Sequence, residues 1–304
     1  MHHIKNAVKR AHREQEIFLF LIMVVFIILL SVISGVPFTL ETFFDLLKSS
    51  STYLIYSICV LLVMLSGGID VSFSSVAAVS AYLAIYAQAY LNWGNSPVQA
   101  FVIAAVVGVL LGAVNAVLVS LMNLPSLIVT LATSNIFFGA LLEVAPIIQL
   151  PAMPSWVRPF GTMRVIELTN SAGNTYGLSI MPVIALGILA LFAVFLKYTS
   201  IGRNIYAVGS SREAARRAGV SITKTNFVIY CLVGMLAGIA SLFNISLVAI
   251  VQPYNIQGVT MDVIAAVVMG GAALSGGKGS VLGCMLGVLF LYLIKTSLIQ
   301  LGIP

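Results

Sequence analysis

Charge is what this sequence has least of. Only 8% of its 304 residues are Asp, Glu, Lys or Arg, whereas 60% are hydrophobic. A soluble domain carries about 25% charged residues, so this chain cannot cover itself with a water-facing surface. Lipid is its natural solvent. Histidine is as scarce: His2, His3 and His12 all lie in the leading tail, which leaves no histidine set for a metal centre. The three cysteines, Cys59, Cys231 and Cys284, fall in apolar segments without metal-ligand spacing, as small core residues do. Neither an HExxH pair nor a nucleophile elbow is present, so an intramembrane enzyme has no machinery to use. Gly276-Gly277-Lys278-Gly279-Ser280 looks like part of a phosphate loop. That loop needs glycine six residues before the lysine and Ser or Thr directly after it; Ala272 and Gly279 stand there instead. The chain is therefore expected to bind no metal or nucleotide of its own, and energy for uphill transport must come from an ion or another subunit.

What is present is length of apolar run. Nine stretches of spanning character lie at about 17–35, 52–66, 72–90, 98–121, 125–142, 179–197, 225–250, 256–274 and 281–301. Continuous runs favour helices over a barrel, whose segments alternate over about 10 residues. The fold class expected is an all-α polytopic membrane protein of about nine transmembrane helices, with glycine-broken segments and one cytoplasmic helix. Lys5, Lys9, Arg10 and Arg13 precede the first run. That run exceeds a signal-peptide core and no small-x-small site follows, so it reads as a membrane helix with a cytoplasmic tail over residues 1–16.

Parity supports the count. Six crossings return the chain to the starting side at Lys197, where Arg203, Arg212, Arg216, Arg217 and Lys224 gather against Glu213 alone. Basic residues mark the cytoplasmic side, so the net charge of +6 reads as topology and lipid contact, not nucleic-acid binding. One domain over 1–304 is expected, with an external loop at about 143–178 and a cytoplasmic loop at about 198–224. The external loop holds Pro146, Pro151, Pro154, Pro159, Gly161, Gly173 and Gly177 and reads as an ordered excursion with little helix. Within the cytoplasmic loop, Ser210 and Glu213 have capping-box spacing and Gly219 sits at a helix C-cap position. A topology anchor accounts for the charge alone; a docking element also accounts for the capped helix with small Ala214, Ala215 and Ala218.

Two apolar pairs are separated by glycine breaks, at Gly67-Gly68 and at Gly270-Gly271 through Gly276-Gly277. Paired breaks point to transporter repeats, although the two segments match poorly beyond their glycines. Asp70 and Ser72 beside the first break read either as helix caps or as pathway residues. Asp262, Asn115, Asn135 and Asn255 read either as interhelical hydrogen-bonding groups or as the lining of a polar route. Gly108/Gly112, Gly234/Gly238 and Gly283/Gly287 have the spacing of close helix packing.

Three segments together resemble the ribose-type ABC permeases: Gly67-Gly68-Ile69-Asp70-Val71-Ser72; Gly202-Arg203-Asn204-Ile205-Tyr206-Ala207-Val208-Gly209 with Glu213 through Val220; and Gly270-Gly271 through Gly283. The resemblance runs in order from about Ser49 onward. It implies the membrane subunit of a binding-protein-dependent importer in the bacterial inner membrane, paired with an identical or related permease. A separate cytoplasmic ATPase would carry ATP-Mg, and an external binding protein would deliver a monosaccharide. The helix around Ser211–Gly219 would be the coupling helix in a groove of the ATPase. Related branches carry nucleosides, branched-chain amino acids or autoinducer-2, and an ion-coupled carrier or a non-transporting scaffold are the competing classes. Family members continue past Leu301-Gly302-Ile303-Pro304 into a further helix, where this sequence stops.

Overall fold

The computed structural model describes residues 2–35, 37–145, 150, 153–169 and 173–300. Its elements are α1 (His2–Ser34), α2 (Leu40–Leu65), α3 (Phe73–Ala89), α4 (Pro97–Ser120), α5 (Ser126–Val144), α6 (Val157–Thr162), β1 (Arg164–Thr169), β2 (Thr175–Ser179), α7 (Ile180–Tyr198), α8 (Ser200–Ser210), α9 (Arg212–Arg217), α10 (Ile222–Val248), α11 (Pro253–Gln257), α12 (Thr260–Met269) and α13 (Val281–Gln300).

Helix α2 is the axis of the molecule. Its spanning window is 89% buried, against 6% for that of α1, because α10, α13, α7 and α12 all pack around it. Helix α1 lies at the periphery along α13, with Phe26 edge-on to Phe290 at 5.8 Å. The closest seam joins α4 to α10. A Cβ on Gly108 would come within 2.7 Å of the Gly234 carbonyl carbon, and one on Gly238 within 2.7 Å of the Ala104 carbonyl carbon. These helices touch backbone to backbone, which only small residues permit. The α12–α13 seam repeats the device, with Gly283 and Gly287 against Gly270 and Ala266.

Two sequence expectations change. Among the described residues seven helices, not nine, are long and apolar enough to cross a membrane. The other two runs form the 17-residue α3 and the 10-residue α12, bounded by the 66–72 break and by Gly258 and Gly270. The second run begins at Leu40, not near 52, because Thr39 Oγ1 caps the helix by accepting from Thr42 N. The tail expected over 1–16 continues helically into α1. The excursion holds a helical turn and an antiparallel hairpin, with Ile166 opposite Leu178 and Leu168 opposite Tyr176; Val165, Ile166 and Thr169 suit extended backbone. Pro146, Pro151 and Leu301–Pro304 lie outside the described residues.

Candidate functional site

The arginine-bearing segment folds as two helices at an angle. Thr199 ends α7 and caps α8 by accepting from Gly202 N at 3.0 Å. Arg203 donates back to the Tyr198 carbonyl at 3.1 Å and to Ser200 Oγ at 3.0 Å. The capping residue of α9 is Ser211, not Ser210. Ser211 is extended, at φ −165° and ψ 112°, and its hydroxyl accepts from Ala214 N at 3.2 Å. Ser210 still belongs to α8 and donates to the Tyr206 carbonyl at 2.8 Å. Glu213 therefore stands one place early for a capping box and accepts from Arg217 Nε at 3.1 Å. Gly219, at φ +80°, closes the helix as the sequence suggested. Of α9 only Ala215 is buried. Arg212, Glu213, Ala214, Arg216, Arg217 and Ala218 are exposed, a free face held by one small anchor.

The root of this segment is where the three sequence motifs meet. Gly209 touches the end of α2 and the second glycine break: a Cβ there would fall 2.6 Å from Gly277 N and 2.8 Å from the Leu65 carbonyl carbon. Gly276, at φ +88°, packs onto Gly67, with a virtual Cβ 2.7 Å from Gly67 Cα. Gly277 N donates to the Leu65 carbonyl at 3.0 Å, and Tyr206 OH donates to the Gly279 carbonyl at 3.0 Å. Burial pushes the Tyr206 phenol up to about 12, so it remains a donor at neutral pH. Ser280 Oγ donates to Glu16 of α1. The 66–72 and 270–280 breaks, about 200 residues apart in sequence, thus form one junction under the arginine segment.

The pathway candidates divide. Asp70, Ser72 and Asn115 form one buried cluster: Asp70 Oδ1 accepts from Ser72 N at 2.7 Å and Ser72 Oγ at 2.6 Å, and Asn115 Nδ2 donates to Ser72 Oγ at 2.8 Å. Asp70 so satisfies the first turn of α3, which favours the capping reading. Thr130 and Ser126 of α5 accept from Val71 N and Ile69 N and fix the break from its other side. Ser74 meets Thr260 at 2.6 Å and Ser75 meets Ser134 at 2.7 Å, so the polar start of α3 joins α5 to the broken α11–α12 segment. Asn135 and Asn255 are exposed and bond only locally, to the Leu131 carbonyl and to Gln252. Asp262 is in the first turn of α12, where a helix dipole favours an anion. It pairs with Lys295 of α13 and accepts from Tyr53 OH at 3.4 Å. The Tyr53 partnership carries no local sequence signal, since 209 residues separate the pair.

Broken helices meeting at a polar centre, with a charged capped element tied to the breaks, define a membrane permease. The comparisons agree. Residues 42–304 match the family described as branched-chain amino acid transport system / permease component, and the chain belongs to that family. Its relatives include the ribose import permease protein RbsC of Escherichia coli (strain K12), 30% identical over 289 residues that cover 92% of this chain and 85% of that protein. The autoinducer 2 import system permease protein LsrC of Enterobacter sp. (strain 638) is 30% identical over 297 residues, covering 96% and 81%. LsrC of Photorhabdus luminescens is 30% identical over 279 residues, covering 91% and 80%. No solved structure matches the chain significantly. It is a multi-pass membrane transport subunit.

Proposed function

We propose that this chain is the permease subunit of an ATP-driven, binding-protein-dependent importer of a monosaccharide. It works beside a second permease, with ATP-Mg held by a cytoplasmic ATPase and solute delivered by an external binding protein. The observation that carries this reading is the junction: α9 stands free, while its root at Gly209 and Gly277 is wedged against both glycine breaks. A push on α9 reaches the end of α2 and the 270–280 segment without passing through a flexible loop. On this reading the arginine face and the N-terminus are cytoplasmic, and the whole chain acts as one unit. The substrate class follows the relatives whose names specify ribose and autoinducer 2. A hydroxyl-rich neutral solute also suits a route of amides and hydroxyls.

The test is an Arg216→Glu variant, coexpressed with the partner ATPase and reconstituted in vesicles. Arg216 is exposed and carries no ion pair among the described residues, so the fold should survive. The expected result is loss of ATPase copurification and of ATP-dependent uptake. Undiminished ATPase binding with normal uptake removes the coupling assignment. Uptake that persists without ATP under a held proton gradient selects the ion-coupled carrier instead.

A further inference from the structure

Asp262, Lys295 and Tyr53 come from three helices and meet away from both the arginine segment and the hairpin. Tyr53 lies 12 residues before the end of α2, about 18 Å along its axis, and Lys295 lies 14 residues into α13, about 21 Å. In a hydrocarbon core about 30 Å thick both are well inside the membrane. The Lys295 and Asp262 side chains are nevertheless 37% and 39% exposed. A charged group at such depth costs about 2.5–3.5 kcal/mol even on the mildest scale. A part-exposed ion pair contributes only about 0–1 kcal/mol to stability, so packing alone gives little reason for these charges. Lys295 Nζ and Tyr53 OH both donate to Asp262 Oδ2, which leaves Oδ1 an open acceptor among the described residues. The ammonium also lies 5.2 Å over the Tyr53 ring, which is held edge-on to Tyr292 at 4.8 Å. The site is rigid, polar and half open.

The geometry points to a solute-binding station on the transport route: Asp262 Oδ1 accepts from, and Lys295 donates to, the hydroxyls of a neutral polyhydroxylated solute as it passes through the half of the membrane away from the glycine junction. The opposite charges cancel, so the station favours hydroxyl groups over any net charge on the solute. The solute class rests on the importer reading above, but the water access of the station does not.

Met261, 68% exposed, adjoins Asp262, whereas Val106, 52% exposed, lies on the apolar outer face of α4. In the reconstituted full complex, Met261→Cys should react with a membrane-impermeant methanethiosulfonate at least tenfold faster than Val106→Cys, the unaltered chain giving the background of its own thiols. Millimolar D-ribose or D-glucose should slow that reaction at least threefold. The double variant Asp262→Asn/Lys295→Met removes both charges and leaves neither partner unpaired. A purely structural pair predicts unchanged uptake; the station predicts a KM for the sugar raised roughly ten- to hundredfold, the loss expected for a hydrogen bond to a charged group, with ATPase copurification intact. A slow reaction at position 261, a fast one that neither sugar slows, or an unchanged KM in the double variant overturns the proposal. Failure of ATP dependence alone leaves the labelling result standing and overturns only the importer reading.

Discussion

Replacing Gly209 by alanine tests the junction most directly. The added methyl would lie 2.8 Å from the Leu65 carbonyl carbon and 2.6 Å from Gly277 N, while carbon atoms in contact rest about 3.5–4.0 Å apart. Every nearby atom is backbone, so no side chain can swing aside. Either the α8 root withdraws by about 1 Å, losing its contact with α2 and the second break, or the methyl wedges Leu65 from Gly277 and stretches their N–O bond from 3.0 Å. Overpacking of this kind costs about 1–3 kcal/mol, and a buried amide left without its acceptor adds about 1–3 kcal/mol. Gly67 is the control. It has φ +81°, but its nearest neighbours to a virtual Cβ are 3.8 Å away, so alanine there meets backbone strain alone, about 1 kcal/mol. The assay is the ratio of solute imported to ATP hydrolysed in vesicles containing the full complex, with thermal unfolding in detergent alongside. Gly209→Ala should lower that ratio at least fivefold, and Gly67→Ala less than twofold. An unchanged ratio in Gly209→Ala, in a protein that still binds its ATPase, would refute the idea that the three motifs act as one body.

Three further outcomes follow from the geometry. Ser211→Ala should destabilise α9 by about 1 kcal/mol through loss of its cap, read as faster amide exchange at residues 212–217, while Ser210→Ala, which loses only a bond within α8, should leave that exchange unchanged. Gly234→Leu should collapse the α4–α10 seam and lower the unfolding temperature in detergent by several degrees, whereas Gly139→Ala, with open space around its Cβ position, should not. The raised Tyr206 pKa favours the folded state up to about pH 10, the ordinary phenol value, and that contribution is lost as pH climbs towards about 12. The stability difference between the unaltered protein and Tyr206→Phe should accordingly be flat from pH 7 to 9 and shrink above pH 10.

The membrane body was legible because its signals are local and long. The apolar runs indicated the helices, and the spacing of Gly108/Gly112 and Gly234/Gly238 indicated close packing, although not that these two pairs face each other. What failed to show was set at a distance or at a boundary. Asp45, Lys48 and Ser49–Ser51 interrupt the second apolar run, yet Leu46, Leu47, Ser50 and Ser51 are buried on a continuous helix, so the true start at Leu40 looked like a loop. Spacing to Glu213 pointed to Ser210 as the cap, but α8 extends through Ser210 and the cap falls at Ser211. The hairpin strands have only six and five residues, too short for a periodic signal. Asp262 was visible as an anomaly, but its partners arrive from α2 and α13.

The same comparison explains why three modest motifs carry more meaning together than apart. Each glycine-rich segment alone reads as a loose turn. In the folded chain, backbone of Leu65 and Gly277 fills the side-chain volume missing at Gly209, and backbone of Gly67 fills that missing at Gly276, so the looseness is used up in close packing. A helix standing on a flexible hinge would dissipate a displacement at its base. Here α9 stands on backbone-to-backbone contact, and the first rigid bodies it meets are the end of α2, the most buried helix, and the strand of chain that leads into α13. Those two helices, with α12, hold Tyr53, Lys295 and Asp262. A shift of α9 large enough to separate Gly209 from Leu65 therefore tends to change the relative position of the helices around the Asp262–Lys295 ion pair. On the importer reading, work done at the arginine face reaches the solute route through that connection.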